Sequence, residues 1–591
     1  MEPMSMFIRW EFVPIELKLG NNLITNPKEI TEILNEYFTN ITTKLTKPSI
    51  KHNNMLSKKI NTCATSVFMY PVTEDEVVNM AKTLKNKHTA GPDDIPECLV
   101  KKCIGLIKKP LTHIYNLSLS LGIFPEDWKL AKVKPIYKKG DRRDMQNYRP
   151  ISIISVFSKL LERLMCKRLM SFVQEYGVLS DTQHGFRKGK CLEVAVQEFI
   201  EKIQKTLDDG VHSVGIFIDL TKAYDTINHN ILLQKLSSCG IRGITNLWFK
   251  SYLSNRSQYI EIKHTDPSTN SVSKIRSSYK EIKLGVPQGS VLGPLLFLLY
   301  INDLPVNIKH SNLIMYADDI NILIMDKNAS ALQRKIGEVI NDLEGWCNSN
   351  DLIINVKKTG IMSFQNRQVK DPIRPQVTLN DITLDYVVDL KFLGIHITET
   401  LNWNIHLQTL AHTLSKIAFM IKSLNEILSP HMMRHIYFTK FQATLRSGIL
   451  FWGGIKGDSR IKIAKVQKRV IRILAGVSSR MSCRNLFKEF KILTIASLYI
   501  LEVTCFIRKY CNSLKKNTQV HQHDTRRKLD IHVKMKNTET YKKSVINMGT
   551  KIYNKLPGFL KEIDDTKIFR KKLKSFLLLH SFYSVEEFFA S

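Results

Sequence analysis

The sequence predicts an α+β protein in which helices cover one antiparallel sheet. Strand-like and helix-like runs alternate in the order β-α-β-β-α-β between residues 211 and 398. Upstream, two strand-like runs enclose a basic turn, and beyond residue 400 apolar residues recur at helical spacing. The alternating order builds a single antiparallel sheet backed by two helices, and the flanking segments add helical layers.

The sheet comes from four short strands of the alternating segment. We predict strands over residues 213–219, 312–317, 320–325 and 352–356 from their apolar content and flanking turn residues. A helix around residues 231–236 follows the first strand, and an amphipathic helix over 332–347 follows the third. The dipeptide Asp318-Asp319 then forms the turn between the second and third strands.

The regions on either side of the sheet carry clusters of cations. Strands over residues 131–137 and 148–155 flank the turn KKGDRRDMQN, which predicts a hairpin with a basic tip. Near residues 460–476 a helix is apolar on one face, and its other face carries a basic stripe formed by Lys462, Lys465, Arg469 and Arg472. The stripe suits nucleic-acid phosphates, but a charged helix face that only meets solvent has the same pattern.

Length and charge limit the class of protein. The 591 residues are too many for one core, and 87 Lys and Arg against 54 Asp and Glu give a net charge of +33. This excess indicates a polyanionic partner, either nucleic acid or an acidic membrane surface. The longest apolar run, residues 291–301, is far below the roughly 20 residues of a membrane span, and the N-terminus lacks a signal-peptide pattern. The ten scattered cysteines have no zinc-binding spacing, so we expect reduced thiols and an intracellular protein.

Three acidic residues are candidates for a metal site. Asp219 ends the strand VGIFIDL, and Asp318 and Asp319 occupy the turn of IMYADDINILI. Because neighbouring strands lie about 4.8 Å apart, a strand-end carboxylate and a turn carboxylate can meet at one edge of the sheet. Joining a nucleotide to a primer 3′-hydroxyl needs two divalent ions held about 3.5–4 Å apart by such carboxylates. Each signal alone also fits an ordinary turn, and only their combination in this order favours the metal site.

Seven ordered segments resemble the motifs of reverse transcriptases. Motif A of that family is matched by FIDLTKAYDT, motif B by GVPQGSVLGPLLFLLYIND, motif C by YADD, motif D by NVKKTGIM and motif E by KFLGIHI. The fingers hairpin is matched by VKPIYKKGDRRDMQNYRPISI, and the segment after it by QHGFRKGKC. The similarity covers residues 115–400 nearly continuously and is greatest to non-LTR (LINE-like) retrotransposon enzymes of the jockey type.

The resemblance implies roles for the matched positions. Asp219 and Asp318 would bind the metal ions directly, with Asp319 beside them, and the cofactor would be Mg²⁺ or, as the alternative, Mn²⁺. Tyr224 matches the steric gate that excludes a 2′-hydroxyl, and Gln288 and Gly289 match the turn that approaches the template–nucleotide pair.

The remaining matched positions are cations. Arg149 matches the fingers arginine that binds the triphosphate, and Lys138 is its candidate partner, with Lys134 and Lys139 as alternatives. Lys358, next to Lys357, matches the motif D lysine that protonates the leaving pyrophosphate.

The resemblance also implies a right-hand polymerase with fingers, a ferredoxin-like palm, a helical thumb and a helical C-terminal extension. We expect residues 1–65 to be a linker-like helical segment, 66–116 the helical N-terminal part of the fingers, 117–397 the reverse transcriptase domain, 398–490 the thumb, and 491–591 the basic extension. Relatives carry an endonuclease domain before the polymerase, and the sequence shows no acid/base cluster for nicking in its place. We therefore expect a chain that lacks this domain.

The function implied is RNA-directed DNA synthesis, with an RNA template, a DNA primer or target, dNTPs, no membrane partner, and a location in the cytoplasm or nucleus. Two alternatives stay open. One is a neighbouring enzyme, such as a group II intron maturase or a telomerase-like protein. The other is a catalytically silent copy that binds RNA through its basic surface.

Overall fold

The computed structural model of the chain describes residues 16–45, 62–266, 268–369, 371–511, 514–520, 528 and 530–591. It mixes helices and sheets, so the predicted α+β class is confirmed. Part of the predicted segment 1–65 lies outside the described residues. Its described part forms β1 (Leu17–Leu19), β2 (Asn22–Ile24) and α1 (Pro27–Leu45).

The next region is helical around one hairpin. Its elements are α2 (Glu74–Lys82), α3 (Glu97–Leu121), β3 (Leu130–Tyr137), β4 (Tyr148–Ile153), α4 (Val156–Glu175) and α5 (Leu192–Asp208). β3 and β4 pair antiparallel from Lys132↔Ile153 to Tyr137↔Tyr148, which confirms the predicted basic hairpin.

The middle of the chain contains the remaining strands. In order, its elements are β5 (His212–Ile218), α6 (His229–Ser238), α7 (Gly243–Leu253), β6 (Arg256–Thr265), β7 (Val272–Arg276), β8 (Lys280–Ile282), α8 (Gly293–Tyr300), α9 (Leu304–Asn307), β9 (Asn312–Tyr316), β10 (Asp319–Asp326), α10 (Ala329–Ser349), β11 (Gly360–Phe364), β12 (Thr378–Leu379), β13 (Ile382–Thr383), β14 (Asp389–Phe392) and β15 (Ile395–Thr398).

Two larger sheets result. The central sheet has the order β11-β5-β10-β9, and every pair in it is antiparallel. The second sheet has the order β4-β3-β6-β7, with β8 also paired to β6, and it extends the predicted hairpin. Helix α1 packs on this second sheet, where Ile30, Leu34 and Phe38 are buried with Val133 and Ile260.

Both faces of the central sheet are buried. Ile216 and Ile322 face a core shared with α8 and α10, whereas Phe217 and Leu323 face a core shared with α5. Burial on both faces explains why the strands read as nearly continuous apolar runs.

The strand predicted over residues 352–356 is wrong, because the fourth strand of the central sheet is β11. Leu352 and Ile354 are buried, but Ile354 forms only an isolated bridge with Leu220. A 3₁₀ turn at Val356–Lys358 then interrupts the pairing, which resumes, still antiparallel to β5, at Gly360.

The C-terminal region is helical, as predicted. Its elements are α11 (Asn404–Leu424), α12 (Pro430–Ile436), a π-helical turn (Tyr437–Gln442), α13 (Ala443–Leu445), α14 (Ile449–Trp452), α15 (Asp458–Ala475), α16 (Arg484–Glu489), α17 (Ile495–Tyr510), α18 (Glu539–Lys542), α19 (Val545–Lys555), α20 (Gly558–Lys561), α21 (Thr566–His580) and α22 (Val585–Ala590). Within the described ranges, no helix has the length and apolarity to cross a membrane. All ten cysteines are free thiols.

Candidate active site

A cleft of about 980 Å³ opens between the basic hairpin and the edge of the central sheet. It is lined by all nine residues predicted from the polymerase-like motifs: Lys138, Arg149, Asp219, Tyr224, Gln288, Gly289, Asp318, Asp319 and Lys358. These residues come from segments up to 220 positions apart, so the fold brings them together. The alternatives Lys134 and Lys139 do not line the cleft.

Strand register brings the three aspartates to the same edge of the central sheet. Ile218, the last residue of β5, pairs with Ile320 of β10, so Asp219 follows directly beside the turn that carries Asp318 and Asp319. The backbone carbonyl of Asp219 accepts a hydrogen bond from Asn355 N at 2.8 Å, which fixes the end of β5.

The electrostatics of the turn reflect this crowding. Burial raises the pKa of Asp318, and the charge of Asp219 raises it further, whereas Arg149 and Lys138 lower it. Burial together with the charges of Asp318 and Asp219 raises the pKa of Asp319 to about 6. Like charges held this close favour protonation or the binding of a cation.

The cations of the cleft face the carboxylates. Lys358 Nζ lies 3.5 Å from Asp219 Oδ2. Burial lowers the pKa of Lys138, and the neighbouring charges of Arg149 and Lys358 lower it further. Arg149 is opposite Ile136 in the hairpin register, two residues before Lys138. Arg149 and Lys138 therefore both lie at the same end of the hairpin.

The loop before α8 approaches the cleft closely. Gln288 Nε2 donates to both carboxylate oxygens of Asp225, at 2.8 and 2.9 Å. Gly289 has a φ of +120°, and a Cβ there would lie 2.5 Å from the carbonyl oxygen of Ser152. Only glycine fits this backbone and this contact without strain.

Tyr224 forms part of the floor of the cleft. Its ring packs against Phe297 of α8 with centroids 4.6 Å apart. Burial raises the pKa of Tyr224, and the charges of Asp318 and Asp319 add to the rise. The ring is therefore both held in place and close to the carboxylates.

Among the other residues that line the cleft, three have contacts that the motif assignments did not include. Asp225 orients Gln288, as described above, and it was readable within the same FIDLTKAYDT run. Lys222 Nζ lies 4.4 Å from the ring centroid of Tyr37, and both residues line the cleft. Tyr37 belongs to α1, whose sequence gave no signal of this contact.

The side chains of the cleft could bind a divalent ion only if water or substrate phosphates completed its coordination. Among the described residues, no three His, Cys, Asp or Glu side chains are grouped closely enough to enclose a metal. Asp219 is nevertheless close enough for its charge to raise the pKa of Asp318. Mg²⁺ commonly binds through one or two carboxylates plus water and substrate phosphates, which fits this arrangement.

The basic stripe lies elsewhere. Lys462, Lys465 and Arg469 are exposed on α15, and Arg472 Nε donates to the carbonyl of Met481 at 2.8 Å. Arg469 and Arg472 line a separate groove of about 530 Å³ together with Lys422 of α11.

Comparisons with known proteins agree with the motifs. Residues 136–397 match the family model described as reverse transcriptase (RNA-dependent DNA polymerase). The chain is 26% identical over 465 residues to a probable RNA-directed DNA polymerase from transposon BS of Drosophila melanogaster, covering 76% of this chain and 49% of that protein. It is also 26% identical over 433 residues to the RNA-directed DNA polymerase from mobile element jockey of the same species, covering 71% and 46%.

The chain thus spans about half the length of these curated relatives. A solved structure of apo telomerase from Candida tropicalis aligns with 57% of this chain and 73% of its own, at 13% identity and a TM-score of 0.31.

Proposed function

We propose that the chain is an RNA-directed DNA polymerase of a non-LTR retrotransposon, because residues 136–397 match the reverse transcriptase family model and the relatives include polymerases of transposon BS and mobile element jockey. The observation that supports this most is that Asp219 and the Asp318-Asp319 turn line one cleft. Lys138, Arg149 and Lys358 line the same cleft. The substrates would be an RNA template, a DNA primer and dNTPs, found in the cytoplasm or nucleus.

In this proposal the parts of the chain form a right hand. The hairpin β3–β4 belongs to the fingers, the central sheet to a ferredoxin-like palm, and α11–α16 to the thumb. We place the boundaries between these parts at residues 66, 117, 398 and 491.

The residues of the cleft each have a task in nucleotide addition. Arg149 and Lys138 bind the triphosphate, because a guanidinium fork and an ammonium suit phosphate oxygens. Gln288, held by Asp225, and the exposed backbone of Gly289 position the template–nucleotide pair. Tyr224 lies under the sugar, where its ring leaves no room for a 2′-hydroxyl.

Asp219 and Asp318 would hold the divalent ions on which the family depends, with Asp319 beside them. Bound there, Mg²⁺ or Mn²⁺ would lower the pKa of the primer 3′-hydroxyl and neutralise the triphosphate. Lys358, whose Nζ lies 3.5 Å from Asp219 Oδ2, would give a proton to the departing pyrophosphate. Catalysis then rests on positioning and charge neutralisation, as in other phosphoryl transfers.

The test is primer extension on poly(rA)/oligo(dT) with Mg²⁺. Asp318→Asn with Asp319→Asn should abolish extension while binding of the primed template, measured by fluorescence polarisation, stays within about twofold. The matched control is Asp564→Asn with Asp565→Asn, which changes another Asp pair and keeps a side chain able to cap α21. Extension by the first variant would contradict the site.

Binding without extension in the unmodified chain would instead favour the silent RNA-binding copy. The contacts of the cleft give no support to that alternative, because a binding protein has no need of neighbouring carboxylates beside an anionic ligand. A maturase or telomerase would extend the same primer, and it would be distinguished by its RNA preference.

A further inference from the structure

The turn that carries Asp318 has an unusual backbone. Ala317, the residue before Asp318, has a φ of +55°. In this left-handed region an L-residue with a Cβ costs roughly 1–2 kcal/mol. Ala317 is also buried, so neither solvent nor chain flexibility explains the conformation. A contact must stabilise it.

Gln183 supplies that contact. Its side-chain oxygen, Oε1, accepts a hydrogen bond from Ala317 N at 3.0 Å and another from Gly185 N at 2.8 Å. The residue is 1% exposed. Its Nε2 has no hydrogen-bond partner in the described part of the chain, so all of the hydrogen bonds that the buried amide forms there are made by Oε1.

The segment around Gln183 is itself fixed to the sheet. Met315 N donates to Thr182 O at 2.9 Å, and His184 N donates to Met315 O at 2.8 Å, so the segment runs beside β9. At Gly185 a Cβ would lie 2.5 Å from Ala317 N. Glycine therefore lets the segment approach the turn closely enough for the glutamine to reach it.

We propose that Gln183 is a positioning residue for the metal-binding carboxylate Asp318, acting by holding Ala317 in the left-handed conformation that aims the turn into the cleft. The inference rests on the proposed function, because it assigns a support to the same site. Gln183 contacts neither substrate nor metal. Its effect passes through one backbone N–H to the residue after it.

The substitution that tests this is Gln183→Met, which keeps length and apolar volume but removes the acceptor. Loss of a residue that orients a metal ligand typically weakens metal affinity or activity by about 10- to 100-fold. We expect the dissociation constant for Mn²⁺, measured by electron paramagnetic resonance of the free ion, to rise by about 10-fold or more. The apparent KM for the primed template should stay within about twofold.

Rescue distinguishes positioning from a general loss of stability. Glycine adopts positive φ freely, so Ala317→Gly in the Gln183→Met background should recover most of the Mn²⁺ affinity. The matched control is Gln204→Met, since Gln204 is also buried and donates to Thr540 O at 3.2 Å, far from the turn. This control should leave Mn²⁺ binding unchanged.

Unchanged Mn²⁺ affinity in Gln183→Met would overturn the proposal, as would a double variant no better than Gln183→Met. The outcome is separable from that of the proposed function. If the unmodified chain binds Mn²⁺ and the Gln183 effect appears, yet no templated incorporation occurs, only the polymerase assignment fails.

Discussion

Lys358 and Asp219 form an ion pair across the edge of the central sheet, with Nζ 3.5 Å from Oδ2. Lys358 lies in the 3₁₀ turn before β11, and Asp219 follows β5. Both side chains are more than a third exposed, at 58% and 41%. An exposed pair of this kind contributes little stability, so a substitution of Lys358 can test its proposed chemical role with little effect on folding.

Lys358→Ala should slow nucleotide addition by about 100-fold or more, the usual contribution of a general acid. Lys357→Ala is the matched control, because Lys357 is adjacent and exposed but does not line the cleft. Single-turnover incorporation rates check the effect, and melting temperatures should not change in either variant. Equal losses from both substitutions would remove the special role of Lys358.

The raised pKa of Asp319 should make the stability of the folded chain depend on pH. Its pKa rises from the ordinary 3.8 to about 6, so between these values the folded chain holds a proton that the unfolded chain has lost. Stability contributed by this group therefore falls as the pH rises through that window. Asp319→Asn should raise the melting temperature at pH 7 and have a smaller effect at pH 4. A difference that grows on acidification would contradict the assignment.

Tyr224 should control the choice between dNTP and rNTP. Replacing it with Val removes the ring that packs on Phe297, and the space opened should raise rNTP incorporation relative to dNTP by about 10-fold or more. Tyr224→Phe keeps the ring and should keep selectivity. The ratio of kcat/KM for the two nucleotides measures this, and selectivity lost equally in both variants would assign it to the hydroxyl.

Gly289 should tolerate no side chain. Gly289→Ala places a Cβ against the Ser152 carbonyl at a φ of +120°, which should lower the free energy of unfolding by about 1–3 kcal/mol and displace Gln288. Gly337→Ala is the control, because Gly337 lies in α10 with open space around it and should gain about 0.5–1 kcal/mol. Urea unfolding of both variants provides the comparison. An unchanged free energy of unfolding in Gly289→Ala would mean that the turn can shift to accept the Cβ.

Much of the site could be predicted because its signals are local. The strand VGIFIDL, the turn Asp318-Asp319 and the basic hairpin each lie within a short run of sequence. Strand pairing then places the carboxylates, since an antiparallel register sets which residues meet at the edge. Gln183 shows the limit, because its contact with Ala317 joins residues 134 positions apart and depends on tertiary packing.

The errors have the same origin. Leu352 and Ile354 are buried with the less buried Ile353 between them, yet the 3₁₀ turn at Val356–Lys358 interrupts the chain before it pairs as β11. Alternation reports burial of one face but does not report hydrogen bonding to a neighbouring strand. Tyr37 reaches Lys222 across 185 positions, and an amphipathic helix such as α1 gives no sign of the partner it will meet.

The basic stripe on α15 should bind nucleic acid through phosphates alone. Its exposed members, Lys462, Lys465 and Arg469, are not ion-paired with acidic side chains of the described chain, and Arg469 lines a groove shared with Lys422. Changing these three to Ala should weaken binding of a primed template and reduce the slope of log K against log salt by about 2 to 3, one counterion per contact. The control is the triple variant Lys567→Ala, Lys571→Ala and Lys572→Ala on α21, which changes the charge equally on another exposed helix.

Binding affinities of both triple variants, measured between about 50 and 200 mM salt, test this prediction, because phosphate contacts change binding strongly over that range of salt. If the two triple variants lose the same affinity, the stripe is an ordinary solvated face and the net charge alone accounts for binding.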